Sequence, residues 1–233
     1  MCIIAAKSLG TDWPTIDIVN NCCENNPDGF SIAWNENGEL KTFRSMDKAE
    51  FLARYHTISH TVDPNTSAAI IHARWATHGS KKLENCHCWI GGGLAFAHNG
   101  VLTNIPNQDD MTDSETFFRD YFLPVYETLG WERAKLIASA IVGTSRFAWL
   151  DVAGNIYMMG KWEKCQDQGR KGKLYFSNSG YLYCNNKKLN SNSLFSMSQG
   201  VRSCQAYGTM SAKRTNTEKF NDYGALYINR TGK

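Results

Sequence analysis

His72-Ala73-Arg74-Trp75-Ala76-Thr77-His78-Gly79 closes an apolar, β-branched run that begins at Ser67. Residues 67–75 therefore read as a buried strand, and Thr-His-Gly as the turn that ends it. Such a strand end sets a guanidinium, a hydroxyl and an imidazole on one rim. Arg offers a planar two-pronged fork to a carboxylate, and Thr and His add donors. Taken alone, the same residues also fit an Arg paired with a structural acid and a Trp in the core.

Two other segments carry similar signals. Cys2 to Lys7 is a short apolar run that fits a buried strand starting almost at the first residue. A cysteine at position 2 is small enough for the preceding Met to be trimmed. That leaves a thiol and an α-amine on one residue, and an α-amine titrates near ~8, where it can serve as a base. The plainer reading is a core cysteine that opens a strand. Phe96-Ala97-His98-Asn99-Gly100 ends a run from Ile90 that is entered through glycines. Asn-Gly at a strand end offers a side-chain amide and an unhindered backbone N–H at one point, a pair that can stabilise an oxyanion. It is equally a common turn dipeptide.

Around these segments the pattern alternates between short strands and helices. A helix is expected after Asp12 as cap, with Pro14 in its first turn and Ile16, Val19 and Cys23 at helical spacing. Asn25-Asn26-Pro27-Asp28-Gly29 is a turn. Phe30–Trp34 and Leu40–Arg44 flank Asn37-Gly38 as a hairpin. Further helices are expected at Asp47–Tyr55, Thr112–Leu129 and Trp131–Val142. Hairpins are expected at 146–161, around Ala153-Gly154, and at Leu174–Ser177 with Tyr181–Cys184. From about residue 185 the chain turns polar and reads as an extension of the same domain. With no linker or repeat in view, residues 1–233 are expected to form one α+β domain of antiparallel sheets with helices outside.

Composition narrows the function classes. The 233 residues are 42% hydrophobic and 20% charged with a formal net charge of +3, too mild a balance to call for nucleic acid or an anionic membrane. No apolar run nears the ~20 residues that span a bilayer, and the N-terminus lacks the basic and apolar regions of a signal peptide. Eight cysteines without regular spacing read as reduced thiols, so a cytoplasmic protein is expected. Cys86-His87-Cys88 packs three potential ligands too tightly along one extended segment to face one ion, so no metal is expected. No glycine-rich phosphate loop is visible, and no cofactor is expected.

Met1-Cys2, His72 to Gly79 and His98 to Gly100 together resemble the motifs of class II glutamine amidotransferases. The likeness is in order and spacing to the glutaminase domain of glucosamine-6-phosphate synthase, with Ala73 in place of a Thr. Asn26-Pro27-Asp28-Gly29 is similar to a turn of small stand-alone members, and Thr112-Asp113-Ser114-Glu115 to the family's Ser/Thr-Asp-Thr-Glu helix start. Motif coverage runs from residue 2 to about 116.

The resemblance implies a four-layer αββα sandwich of the N-terminal-nucleophile type. It implies Cys2 as nucleophile and, through its amine, as base. Asn99 and the N–H of Gly100 would form the oxyanion hole. Arg74, Thr77 and His78 would hold the α-carboxylate of L-glutamine, Asp113 its ammonium, and Trp75 would sit on the closing loop. Where the family usually shows Arg-Gly-X-Asp, this chain has Pro27-Asp28-Gly29-Phe30, and Asp28, Glu115 and the other histidines read as structural. The implied chemistry is hydrolysis of the glutamine amide through a thioester, with ammonia passed to a separate synthase subunit. The alternatives are an independent hydrolase of a γ-glutamyl compound and a non-catalytic binding module.

Overall fold

The computed structural model describes residues 1–77, 79–106, 111–165, 172–184 and 187–188, all within one compact unit, Met1–Ser198. Two antiparallel sheets form its centre. In the larger, the strand order is β3-β2-β4-β1-β10-β9. These strands are β1 (Ile3–Lys7), β2 (Phe30–Glu36), β3 (Glu39–Ser45), β4 (Ala69–Ala73), β9 (Glu163–Lys164) and β10 (Leu174–Phe176). The smaller sheet has the order β5-β6-β7-β8, with β5 (Trp89–Gly91), β6 (Leu94–Asn99), β7 (Arg146–Asp151) and β8 (Ile156–Met159).

Alternation along each strand builds the layers, because successive side chains point to opposite faces. Ile3 and Ala5 of β1, Phe30, Ile32 and Trp34 of β2, and Ile71 of β4 pack against α1 (Ile16–Asn25) and α2 (Lys48–Thr61). The intervening residues Ile4, Ala33 and Ile70 face the other sheet, where they meet Ala95, Ala97, Ala148 and Leu150. Alanines dominate this interface, so the two sheets approach closely. Leu94, Phe96, Phe147 and Trp149 on the far face of the small sheet pack against Phe117, Phe118, Phe122, Ala134 and Ala138. Those residues come from the helical stretch after Thr112 and from α5 (Trp131–Ile141). The order of layers is helix, sheet, sheet, helix, as expected.

A fully buried lysine in β1 has a plain cause. The Lys7 ammonium donates to the carbonyls of Pro64 (3.1 Å) and Ser67 (2.5 Å) and lies 4.5 Å from the Trp13 ring centroid. These contacts seal the end of β1 remote from Cys2.

Several elements differ from expectation. Thr15, not Asp12, caps α1, so Pro14 precedes the helix; the Thr15 hydroxyl accepts from the Ile18 N–H at 3.5 Å. The helix expected at Asp47–Tyr55 is α2, which Asp47 caps and which continues to Thr61, carried inward by Phe51, Tyr55 and Ile58. The run from Ile90 is two strands, because Gly92 and Gly93, both with positive φ, fold it into the β5–β6 hairpin. The expected helix 112–129 comprises α3 (Asp113–Thr116), a π-helical turn at Phe117–Phe122 and α4 (Leu123–Leu129). A π turn inserts an extra residue and resets which side chains face inward. Here Phe117, Phe118 and Phe122 are all buried.

The third expected hairpin does not form. β10 pairs with β1 and β9, whereas β11 (Tyr183–Cys184) pairs with β12 (Lys187–Lys188). Beyond those strands, the polar extension lies outside the described residues. No described helix is long and apolar enough to cross a membrane.

Candidate active site

The site grows from the register of β1. Ile3 pairs with Ala73, so the next step outward sets Cys2 against Arg74. On the other side Ala5 pairs with Phe176, which brings Ser177 opposite Ile4. The backbone confirms this register: the Ser177 N–H donates to the Ile4 carbonyl at 2.9 Å. The Ile4 N–H donates to the Ser177 hydroxyl at 2.9 Å, and the Asn178 amide donates to the Cys2 carbonyl at 2.9 Å. The start of the chain is thus held on both flanks.

The Cys2 sulfur accepts the Trp75 N–H at 3.3 Å and lies 3.5 Å from the Trp75 carbonyl oxygen. Burial pushes the thiol pKa up; the Trp75 N–H, the N-terminal ammonium and the Arg74 guanidinium act against it. In this state the thiol is a poor nucleophile without a nearby base.

Arg74 is buried, and its Nη1 donates to the Ser80 carbonyl at 2.9 Å. The Asn85 amide donates to the same carbonyl, also at 2.9 Å, so the loop after β4 curls back on itself. Asp28 fastens that loop from below. One carboxylate oxygen accepts the Ala76 N–H at 2.9 Å, and the other meets Lys81 Nζ at 2.6 Å. Burial opposes the Asp28 charge, but Lys81, the Ala76 N–H and Arg74 together hold its pKa below the usual carboxylate range. Trp75 and Thr77 are exposed on this loop. His78, expected beside them, lies outside the described residues.

Asp113 opens α3. One oxygen accepts the Leu102 N–H at 2.7 Å, and the other accepts the Ser114 N–H at 2.7 Å. A Cβ on Gly79 would meet the Thr112 methyl at 3.4 Å and Arg74 Nη2 at 3.6 Å. The loop therefore runs between the guanidinium and the start of α3, and brings Arg74 and Asp113 to one region.

Asn99 ends β6, with its side chain buried. Its Nδ2 donates to the Ser177 hydroxyl at 2.8 Å, which links the small sheet to the first residues of β1. Gly100 has φ +152°, and a Cβ there would lie 2.1 Å from the Ser145 hydroxyl. Only glycine fits.

Behind the site stand three buried imidazoles. His72 stacks on His87 with centroids 3.9 Å apart, and His98 lies a further 6.4 Å from His87 in a nearly parallel plane. His87 Nδ1 accepts the His98 N–H at 3.1 Å, and His98 Nδ1 is 2.7 Å from the Ser114 hydroxyl. Burial holds all three neutral: His72 falls to about 3, His98 to about 4, and His87 well below its ordinary value. The neighbouring thiols diverge, Cys86 toward Met46 and Cys88 toward Ser31 and the Ile70 carbonyl.

The register thus collects Cys2, Arg74, Trp75 and Asn99 about the start of β1, and the Gly79 loop adds Asp113. Sequence reading missed Ser177 and Asn178. Their signal was a hydroxyl and an amide at the end of a short strand beside a turn, which has no meaning until that strand is paired with β1.

The model of a family described as glutamine amidotransferases class-II matches residues 1–129. A protein of Acanthamoeba polyphaga mimivirus, named "Probable glutamine--fructose-6-phosphate aminotransferase (isomerizing)", is 27% identical over 158 residues, covering 66% of this chain and 25% of the relative. The glutamine--fructose-6-phosphate aminotransferase of Zymomonas mobilis is 44% identical over 73 residues, 31% of this chain and 12% of the relative. The matched part therefore spans a quarter or less of these curated relatives. Among solved structures, a glutamine aminotransferase class-II domain protein from Silicibacter pomeroyi aligns over 75% of this chain and 88% of its own, at 18% identity and a TM-score of 0.44. Because that family's model matches more than half of the 233 residues, the chain belongs to the class II glutamine amidotransferases, a family of enzymes.

Proposed function

We propose that the chain, once Met1 is removed, cleaves the side-chain amide of L-glutamine through a thioester on Cys2. The observation that carries this reading is the register of β1. It sets Cys2 against Arg74 on one flank and, through Ser177, ties Asn99 to Ile4, two residues further along the chain. Nucleophile, carboxylate clamp and oxyanion donor are distant in sequence and share one strand end.

In the proposed mechanism the freed α-amine of Cys2 takes the thiol proton, which overcomes the burial that otherwise keeps the sulfur protonated. The thiolate attacks the amide carbon. Asn99 and the Gly100 N–H receive the oxyanion, each lost donor being worth about 3 kcal/mol in the transition state. The ammonium then gives its proton to the departing nitrogen and ammonia leaves. Water adds to the thioester, sulfur departs and glutamate is released. Arg74, with Thr77 and His78, binds the α-carboxylate, Asp113 the α-ammonium, and Trp75 covers the bound amino acid. The ammonia passes to a synthase in a separate subunit; the aminotransferase names of the relatives support transfer to an acceptor.

Arg74→Lys tests the clamp. Lysine keeps the charge but loses the two-pronged contact, so KM for glutamine is expected to rise about 10- to 100-fold, with kcat changing far less. Initial rates of glutamate release measure both constants. An unchanged KM would remove Arg74 from the site. In the same assay glutamine is expected to outrun γ-glutamyl conjugates; the reverse order would favour a γ-glutamyl hydrolase.

A further inference from the structure

The amide of Asn99 is placed with Nδ2 donating to the Ser177 hydroxyl at 2.8 Å, while the Ile4 N–H donates to the same oxygen at 2.9 Å. Two N–H groups on one hydroxyl leave its own proton to find an acceptor, and the described residues supply none. At the same time Asn99 Oδ1 is buried with no partner among the described residues. A donor proton without an acceptor and an acceptor without a donor sit on either side of one amide.

Half a turn of that amide about its Cβ–Cγ bond pairs both and moves the unpaired donors to Nδ2, where a substrate oxygen would take one of them. Oδ1 then takes the position 2.8 Å from the hydroxyl and accepts its proton, while the hydroxyl oxygen keeps the Ile4 N–H. The heavy-atom outline of the amide hardly changes, so this choice is made by hydrogen bonding and not by packing. Only the turned amide frees both Nδ2 protons, and an oxyanion needs a donor.

We infer that Ser177 is a positioning residue for the proposed reaction: pinned by the Ile4 N–H, its hydroxyl directs Oδ1 of Asn99 toward itself and so presents Nδ2 to the oxyanion. The inference rests on the glutaminase reading and extends it to a residue on β10's exit. That exit also holds the nucleophile, because the next residue, Asn178, donates to the Cys2 carbonyl at 2.9 Å. One two-residue segment thereby sets both the backbone of the nucleophile and the polarity of the oxyanion donor.

The test compares parent, Ser177→Ala, Ser177→Thr and Asn99→Ala proteins, all shown to lack Met1. Glutamine kinetics, inhibition by glutamate and thermal midpoint are measured for each. For Ser177→Ala, kcat is expected to fall about 10- to 100-fold with KM and glutamate inhibition nearly unchanged, while the thermal midpoint drops because the buried Ile4 N–H loses its acceptor. Ser177→Thr retains the hydroxyl and is expected to recover kcat to within about threefold of the parent. A fully active Ser177→Ala beside a crippled Asn99→Ala overturns the inference alone. So does a Ser177→Ala loss that raises KM and weakens glutamate inhibition together, without rescue by Thr. A fully active Asn99→Ala overturns the oxyanion role itself, and with it the reading on which the inference stands.

Discussion

Cys2→Ala protein lacking Met1 is expected to release no glutamate from glutamine above background, a loss of about three orders of magnitude or more. The fold should survive, because Cys2 lies outside β1, which begins at Ile3. Its carbonyl, not its thiol, takes the Asn178 hydrogen bond. Protein that keeps Met1 should be equally inactive although its thiol is intact, since the peptide-bonded nitrogen of Cys2 has no basic lone pair. This second comparison separates the two functions assigned to one residue. A conventional cysteine nucleophile with a distant base would tolerate Met1 far better. Here burial holds the thiol protonated, and the three nearby histidines are themselves held neutral by burial. Two of them are spoken for or turned away: His87 Nδ1 accepts the His98 N–H, and His98 Nδ1 meets Ser114. Activity measured for Met1-retaining and trimmed protein of matched folding decides the point.

The second large effect is on stability. His72 and His98 titrate at about 3 and about 4 in the folded protein, and His87 lower than its ordinary value, because burial opposes their charge. In the unfolded chain each takes up a proton near pH ~6.5. Below that pH the unfolded state binds more protons than the folded state, so stability falls as pH falls. Each histidine contributes about 1.4 kcal/mol per pH unit, and three acting together about 4 kcal/mol per unit. Against a typical stability of roughly 5–15 kcal/mol, acid unfolding is expected between about pH 4 and 5. Urea titrations at pH 7, 6 and 5 give the slope directly. His72→Leu removes one of the three titrating groups and no described hydrogen bond, since both His72 ring nitrogens lack partners among the described residues. It should flatten the slope by about a third. A stability independent of pH from 7 to 5 would show that the imidazoles are not held neutral.

Much of this fold was legible because its signals are local. Short apolar runs mark β1, β2 and β4, Asn37-Gly38 sets the first hairpin, and Ala153-Gly154 sets the second. The motif strand ends at Arg74 and Asn99 were legible for the same reason. What was not legible depends on pairing across long separations. The segment Leu174–Ser177 has the composition of any short strand, and only its place beside β1 gives Ser177 a role. The π turn at Phe117–Phe122 was hidden because a helix with one inserted residue keeps nearly the same apolar pattern. The histidine stack likewise needs β4, β6 and the segment before β5 in one place. Asp28 read as structural, and it is the carboxylate that fastens the Arg74 loop.

The proposed mechanism requires Cys2 to be both free at its nitrogen and reactive at its sulfur. Intact mass of the protein from its own host, before and after a glutamine-like diazoketone, reports both at once. The predicted result is a chain without Met1 that gains one adduct, mapped to Cys2, with glutamine protecting against it. A mature chain that retains Met1, or an adduct that forms elsewhere and ignores glutamine, would contradict the mechanism.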